Sequence, residues 1–77
     1  MKLFIEDLKG YMETINRVLN VKITKKDNNN ILVVYTKENN LMPLVIPLSK
    51  VRLCYLVEIV KDINGDEYYK EYFRYEK

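Results

Sequence analysis

Histidine, tryptophan, alanine and glutamine are missing from this chain, which has one cysteine, one serine, two glycines and two prolines in 77 residues. Each gap excludes something. Without histidine there is no side chain that ordinarily changes charge near neutral pH, so the commonest general base is absent. A lone cysteine, Cys54, rules out an internal disulfide and, with no histidine, an ordinary structural zinc site. Cys54 sits among apolar neighbours, where a thiol packs rather than attacks. The single serine, Ser49, has no activating group near it in sequence. Gly10 and Gly65 are too few for a glycine-rich phosphate loop. The apolar stretches at 41–48 and 53–60 are far shorter than a membrane span. The run Leu3–Ile5 meets Glu6 and Asp7 at once, too soon for a signal peptide. A non-enzymatic, soluble, cytoplasmic protein without cofactor, metal or membrane contact is the expectation.

What remains is globular in composition, with 48% apolar and 31% charged residues. A chain this short makes one domain, 1–77, with a core near the lower limit of independent stability. Covering a face with a second copy or another protein would help it. The net charge is +2 and unevenly spread. Residues 21–61 carry seven positive and three negative side chains, a balance of +4, and residues 62–77 carry three and five, a balance of −2. The basic excess therefore avoids the aromatic C-terminal tail, unlike a phosphate-binding stripe.

Residues 2–19 place Phe4, Ile5, Leu8, Tyr11, Met12, Ile15, Val18 and Leu19 at steps of three and four, which predicts an amphipathic helix ending near Asn20. Gly10 would be a weak point within it. From residue 21 to about 76 the period becomes two. "VKITKK", "ILVVYTK" and "VRLCYLVEIVKD" read as strands, separated by turns at 27–30 and 38–40. "LMPLVIPLS" contains Pro43 and Pro47, which confine that strand to a sheet edge or a bend. The predicted fold is α+β: an N-terminal helix packed on an antiparallel sheet of four to five strands. The element order also suits a small curled barrel of the SH3 or Sm kind, a matter of shape alone, although the glycines that let barrel strands bend are missing.

The tail "DEYYKEYFRYEK" is read as a strand pairing back on 53–62 through "DING", with a helix as the alternative. A three-residue loop, Ile63–Gly65, sets Lys61 against Glu67 and Glu58 against Lys70; a two-residue loop would oppose Glu58 and Glu71. This register predicts a core face of Leu53, Tyr55, Val57 and Ile59 with Tyr69, Glu71, Phe73 and Tyr75. Tyr68, Lys70, Tyr72 and Arg74 would then share an outer face with Leu56 and Val60. "DINGDE" opens like a calcium loop, but Glu67 stands where glycine is required and Phe73 where the closing glutamate is required.

The outer face is the candidate site. Tyrosine and arginine are enriched at binding hot spots, and tyrosine buries large area at low entropy cost. A larger protein or complex is the expected partner, with a homodimer as its simpler form. The alternative is nucleic acid, with Tyr68 and Tyr72 stacking bases, Lys70 and Arg74 meeting phosphates, and Lys22, Lys25 and Lys26 adding a basic patch. The surrounding acidic residues disfavour it. In size and composition the chain resembles small proteins of phages and mobile elements, some of which inhibit host defence complexes. That resemblance implies an inhibitor that covers a surface on its target.

Overall fold

The N-terminal twenty residues form strands, not a helix. In a computed structural model describing residues 1–39 and 41–77, the chain runs through β1 (Lys2–Asp7), β2 (Met12–Ile15), β3 (Val18–Lys26), β4 (Asn29–Thr36) and β5 (Leu44–Pro47). A 3-10 turn, Leu48–Lys50, then leads into β6 (Val51–Lys61) and β7 (Glu67–Glu76). There are two antiparallel sheets, ordered β2-β1-β6-β7 and β3-β4-β5. The α+β expectation is therefore corrected: among the described residues no helix packs on a sheet, and two sheets stand where one was expected. β5, preceded by Pro43 and ending on Pro47, does lie at a sheet edge. The turn read at 38–40 is described only as far as Asn39, because Asn40 lies outside the described residues.

The helical pattern fails for a local reason. Leu3 and Ile5 alternate with Phe4, so the same residues also satisfy a period of two. Gly10 then falls where a turn needs it, at φ +91°. The Asp7 Oδ1 atom accepts the backbone N–H of Lys9 at 2.8 Å and of Tyr11 at 3.0 Å. The Gly10 N–H reaches the Asp7 carbonyl at 3.1 Å. The hairpin between β6 and β7 repeats this construction. Asp62 Oδ1 accepts the N–H of Asn64 at 2.8 Å and of Asp66 at 2.9 Å. The Gly65 N–H meets the Asp62 carbonyl at 3.0 Å, with Gly65 at φ +84°. Both loops are Asp-x-x-Gly turns, in which the aspartate folds the loop and glycine supplies the left-handed residue. The Asp62 carboxylate thus serves the turn that the calcium-like pattern overlies.

Two further turns use left-handed residues. Asp27 and Asn28, at φ 52° and 67°, close the β3–β4 hairpin in the primed geometry that suits strand twist. Arg17, at φ 57°, turns β2 into β3 and so passes the chain from one sheet to the other. Its carbonyl accepts the Lys37 N–H at 3.1 Å, and its guanidinium meets Glu38 at 2.7 Å. That hydrogen bond holds the Glu38 carboxyl below its ordinary range. Next to this corner, the Val18 N–H bonds the Met1 carbonyl at 2.8 Å, which ties the two sheets together.

The core lies between the sheets. Leu3, Ile5, Cys54 and Leu56 come from one sheet, and Val18, Val21, Leu32 and Val34 from the other, with Leu48 and Val51 at the join. β1 pairs with β6 so that Leu3 meets Leu56 and Ile5 meets Cys54, which sets these residues on one face. The predicted core face is therefore inverted in part: Leu53, Tyr55 and Ile59 face away from the second sheet, Tyr69 and Glu71 are exposed, and Cys54 and Leu56 are buried instead, whereas Val57 is buried and Phe73 and Tyr75 pack against the core as expected. The β1 register decides this, because Leu3 and Ile5 can join the core only if Cys54 and Leu56 do so with them.

The β6–β7 hairpin extends the molecule. Phe73 and Tyr75 pack against the core, but every residue from Glu67 to Tyr72 is exposed. The structure measures 48 × 30 × 17 Å with a radius of gyration of 13.5 Å. A compact chain of this length would have a radius of about 11–12 Å. The hairpin end accordingly forms an arm with no second layer on either face.

Candidate functional site: the two faces of the arm

The register of the arm matches the charge argument. Glu58 pairs with Lys70, and Lys61 with Glu67, around the three-residue loop. Beyond Val57 the ladder shifts. Leu56 pairs with Phe73 and Val57 with Glu71, leaving Tyr72 as an extra residue in β7. Such a bulge changes which side chains share a face. It divides the predicted site in two.

Tyr68, Lys70 and Tyr72 remain together on the inner face, on the same side as Glu58 and Val60. The Tyr72 hydroxyl donates to Glu58 Oε1 at 3.1 Å, and the Lys70 ammonium lies 5.3 Å from the centre of the Tyr72 ring. Tyr68 is 52% exposed and Tyr72 50%. Val60 is half-buried in the row that pairs it with Tyr68. Leu56 shares this face but is only 2% exposed, so it belongs to the core, not to an accessible surface. The inner face thus offers two large half-exposed rings, one aliphatic side chain and a single neutral Glu–Lys couple.

Arg74 is carried to the outer face by the bulge. Its guanidinium lies 5.3 Å from the centre of the Tyr55 ring and meets Glu71 Oε1 at 2.8 Å. That hydrogen bond raises the basicity of Arg74 further above its ordinary value. Tyr55 in turn stacks on Phe4, with ring centres 5.2 Å apart and planes inclined by 23°. Helical spacing puts Phe4 in an apolar stripe and strand alternation puts Tyr55 in the core, so neither belongs to the site the sequence predicts. Their alternation with Leu3 and Ile5, and with Cys54 and Leu56, carried the signal. A groove of about 440 Å³ opens here between Phe4, Tyr55, Val57, Tyr69, Glu71 and Arg74.

The basic patch is also divided. Strand alternation puts Lys22 and Lys26 on the outer face of the three-stranded sheet and Lys25 on the side of Val21. Lys22 lies 5.7 Å from the centre of the Tyr35 ring. Lys26 lines a groove with Tyr75, at the end of β7 away from Tyr68 and Tyr72.

Cys54 is fully buried, and that burial pushes its thiol above the ordinary range, partly opposed by a backbone hydrogen bond from Tyr75. Two consequences follow from the sign. Thiol-specific reagents at pH 7–8 are expected to modify native protein only as fast as it opens, and unfolded protein at once; rapid labelling of native protein would contradict the burial. Stability is expected to fall as pH rises past about 8.5, where an unfolded thiol ionises and the buried one does not.

No protein-family model matches this chain, and no curated protein or solved structure matches it either. No helix among the described residues is long and apolar enough to cross a membrane.

Proposed function

We propose that this chain is a non-enzymatic, cytoplasmic binding protein that acts by protein–protein contact through its β6–β7 arm. The observation that carries the reading is the bare inner face of the arm. Tyr68 and Tyr72 stand half-exposed beside Val60, with no second sheet over them. Paired, half-exposed tyrosines with a neutral charge couple suit a protein partner: their rings bury area cheaply and their hydroxyls keep partners at the rim. The partner is a larger protein or complex. The likeness in size and composition to small phage proteins supports an inhibitor that covers a working surface of its target.

Charge argues against nucleic acid as the partner of this face. The arm's cations Lys61 and Lys70 each stand opposite a glutamate, and Arg74 is held by Glu71 on the other side. The loop adds Asp62 and Asp66. Fluorescence anisotropy of labelled single- and double-stranded DNA and RNA is expected to show no tight binding at low salt. Binding that weakens steeply as salt rises would overturn the reading and transfer the role to the lysines of β3.

A further inference from the structure

The outer face of the arm carries a second arrangement, independent of Tyr68 and Tyr72. Phe4, Tyr55 and Tyr69 come from three neighbouring strands and line one groove. Val57 lines it too and is only 5% exposed, giving the groove an apolar side chain at its floor. The Glu71 carboxylate adds a single negative charge. Aromatic faces with a nearby carboxylate attract cations, because the ring quadrupole is negative on its face. The structure already shows this preference in use, since the chain's own Arg74 guanidinium stands over Tyr55 and bonds Glu71. Tyr69 is 66% exposed; Lys2 and Arg17 line a neighbouring pocket with it, and the cations that stand over rings among the described residues do so at Tyr35, Tyr55 and Tyr72.

We propose that this groove receives one cationic side chain, a lysine ammonium or an arginine guanidinium, from the partner protein. The identity of the donor rests on the protein-binding reading above; the groove's preference for a cation does not. The incoming cation takes the Tyr69 side and competes with Arg74 for Glu71. Glu71 and Arg74 cancel within the groove, so the attraction comes from the aromatic faces and from the Glu71 carboxylate once Arg74 yields it. Arg74 acts as a built-in competitor that keeps the groove occupied when no partner is present.

The test uses the full chain and two small probes of matched shape: choline and its neutral carbon isostere, dimethylbutanol. Ring-proton NMR signals of Phe4, Tyr55 and Tyr69 are followed during titration. Choline is expected to shift these signals and the isostere to leave them in place. Arg74→Ala, by removing the resident cation, is expected to tighten choline binding by roughly two- to fivefold, and Glu71→Gln to weaken it by a similar factor. Unfolding midpoints of both variants, whose altered side chains are exposed, check that the fold is kept. Equal shifts from the two probes, shifts confined to other residues, or unchanged affinity in Arg74→Ala would each overturn the proposal. Shifts produced by a short oligothymidine but not by choline would overturn it in favour of base stacking. Because neither probe involves the partner, choline binding together with failure to find a protein partner would refute the reading of the inner face and the donor assigned here, and would leave the groove's preference for a cation standing.

Discussion

Leu32→Ala is expected to lower the thermal unfolding midpoint by roughly 10–30 °C. Leu32 is wholly buried in β4 and packs in the cluster that both sheets share. Truncating a buried leucine costs about 2–5 kcal/mol, because transfer energy is lost and a cavity is left. A domain of this length has a total stability of only about 4–12 kcal/mol. The variant should therefore sit near its midpoint at moderate temperature, and circular dichroism on heating would show it. A shift below about 5 °C would mean that the two sheets do not enclose a common core at Leu32.

The second large effect is on binding. Replacing both Tyr68 and Tyr72 with alanine is expected to weaken the partner complex by about 2–4 kcal/mol, roughly thirty- to a thousandfold. The unfolding midpoint should move little, since both rings are half-exposed and contribute one surface hydrogen bond, from Tyr72 to Glu58. Affinity and stability thus separate the interface role from a structural one. Loss of binding together with a large loss of stability would mean that these rings hold the arm in shape. Retained binding would place the interface elsewhere.

Some of this architecture is written plainly in the residues, and some is not. The β6–β7 pairing was legible because charge and turn chemistry agree on one register: Glu58 with Lys70, Lys61 with Glu67, and Gly65 at the left-handed position. The edge position of β5 followed from its prolines. The first twenty residues misled because steps of three and four coexist with alternation at Leu3, Phe4 and Ile5, and short apolar segments do not distinguish the two periods. The shared spacing of Asp7 to Gly10 and Asp62 to Gly65 would have argued for a hairpin at both places. Which face of β6 is buried was not legible from β6 itself, since Cys54, Tyr55, Leu56 and Val57 are apolar on both sides; pairing with β1 settles it. The bulge at Tyr72 left no local sign, and it alone parts Arg74 from Tyr72. The candidate site was thus half legible: Tyr68, Lys70 and Tyr72 stand together, while Arg74, Phe4 and Tyr55 form a separate group that only the folded register assembles.

The claim that the arm's inner face meets a protein is tested most directly by site-specific photo-crosslinking. A benzophenone amino acid is placed at position 72 in one variant and at position 22, on the outer face of β3, in another. Both are irradiated in the cells that produce the protein. Position 72 is expected to yield one discrete adduct with a larger protein, and position 22 none. Adducts with nucleic acid, an adduct of twice the chain's own mass, or a protein captured from position 22 alone would contradict the claim.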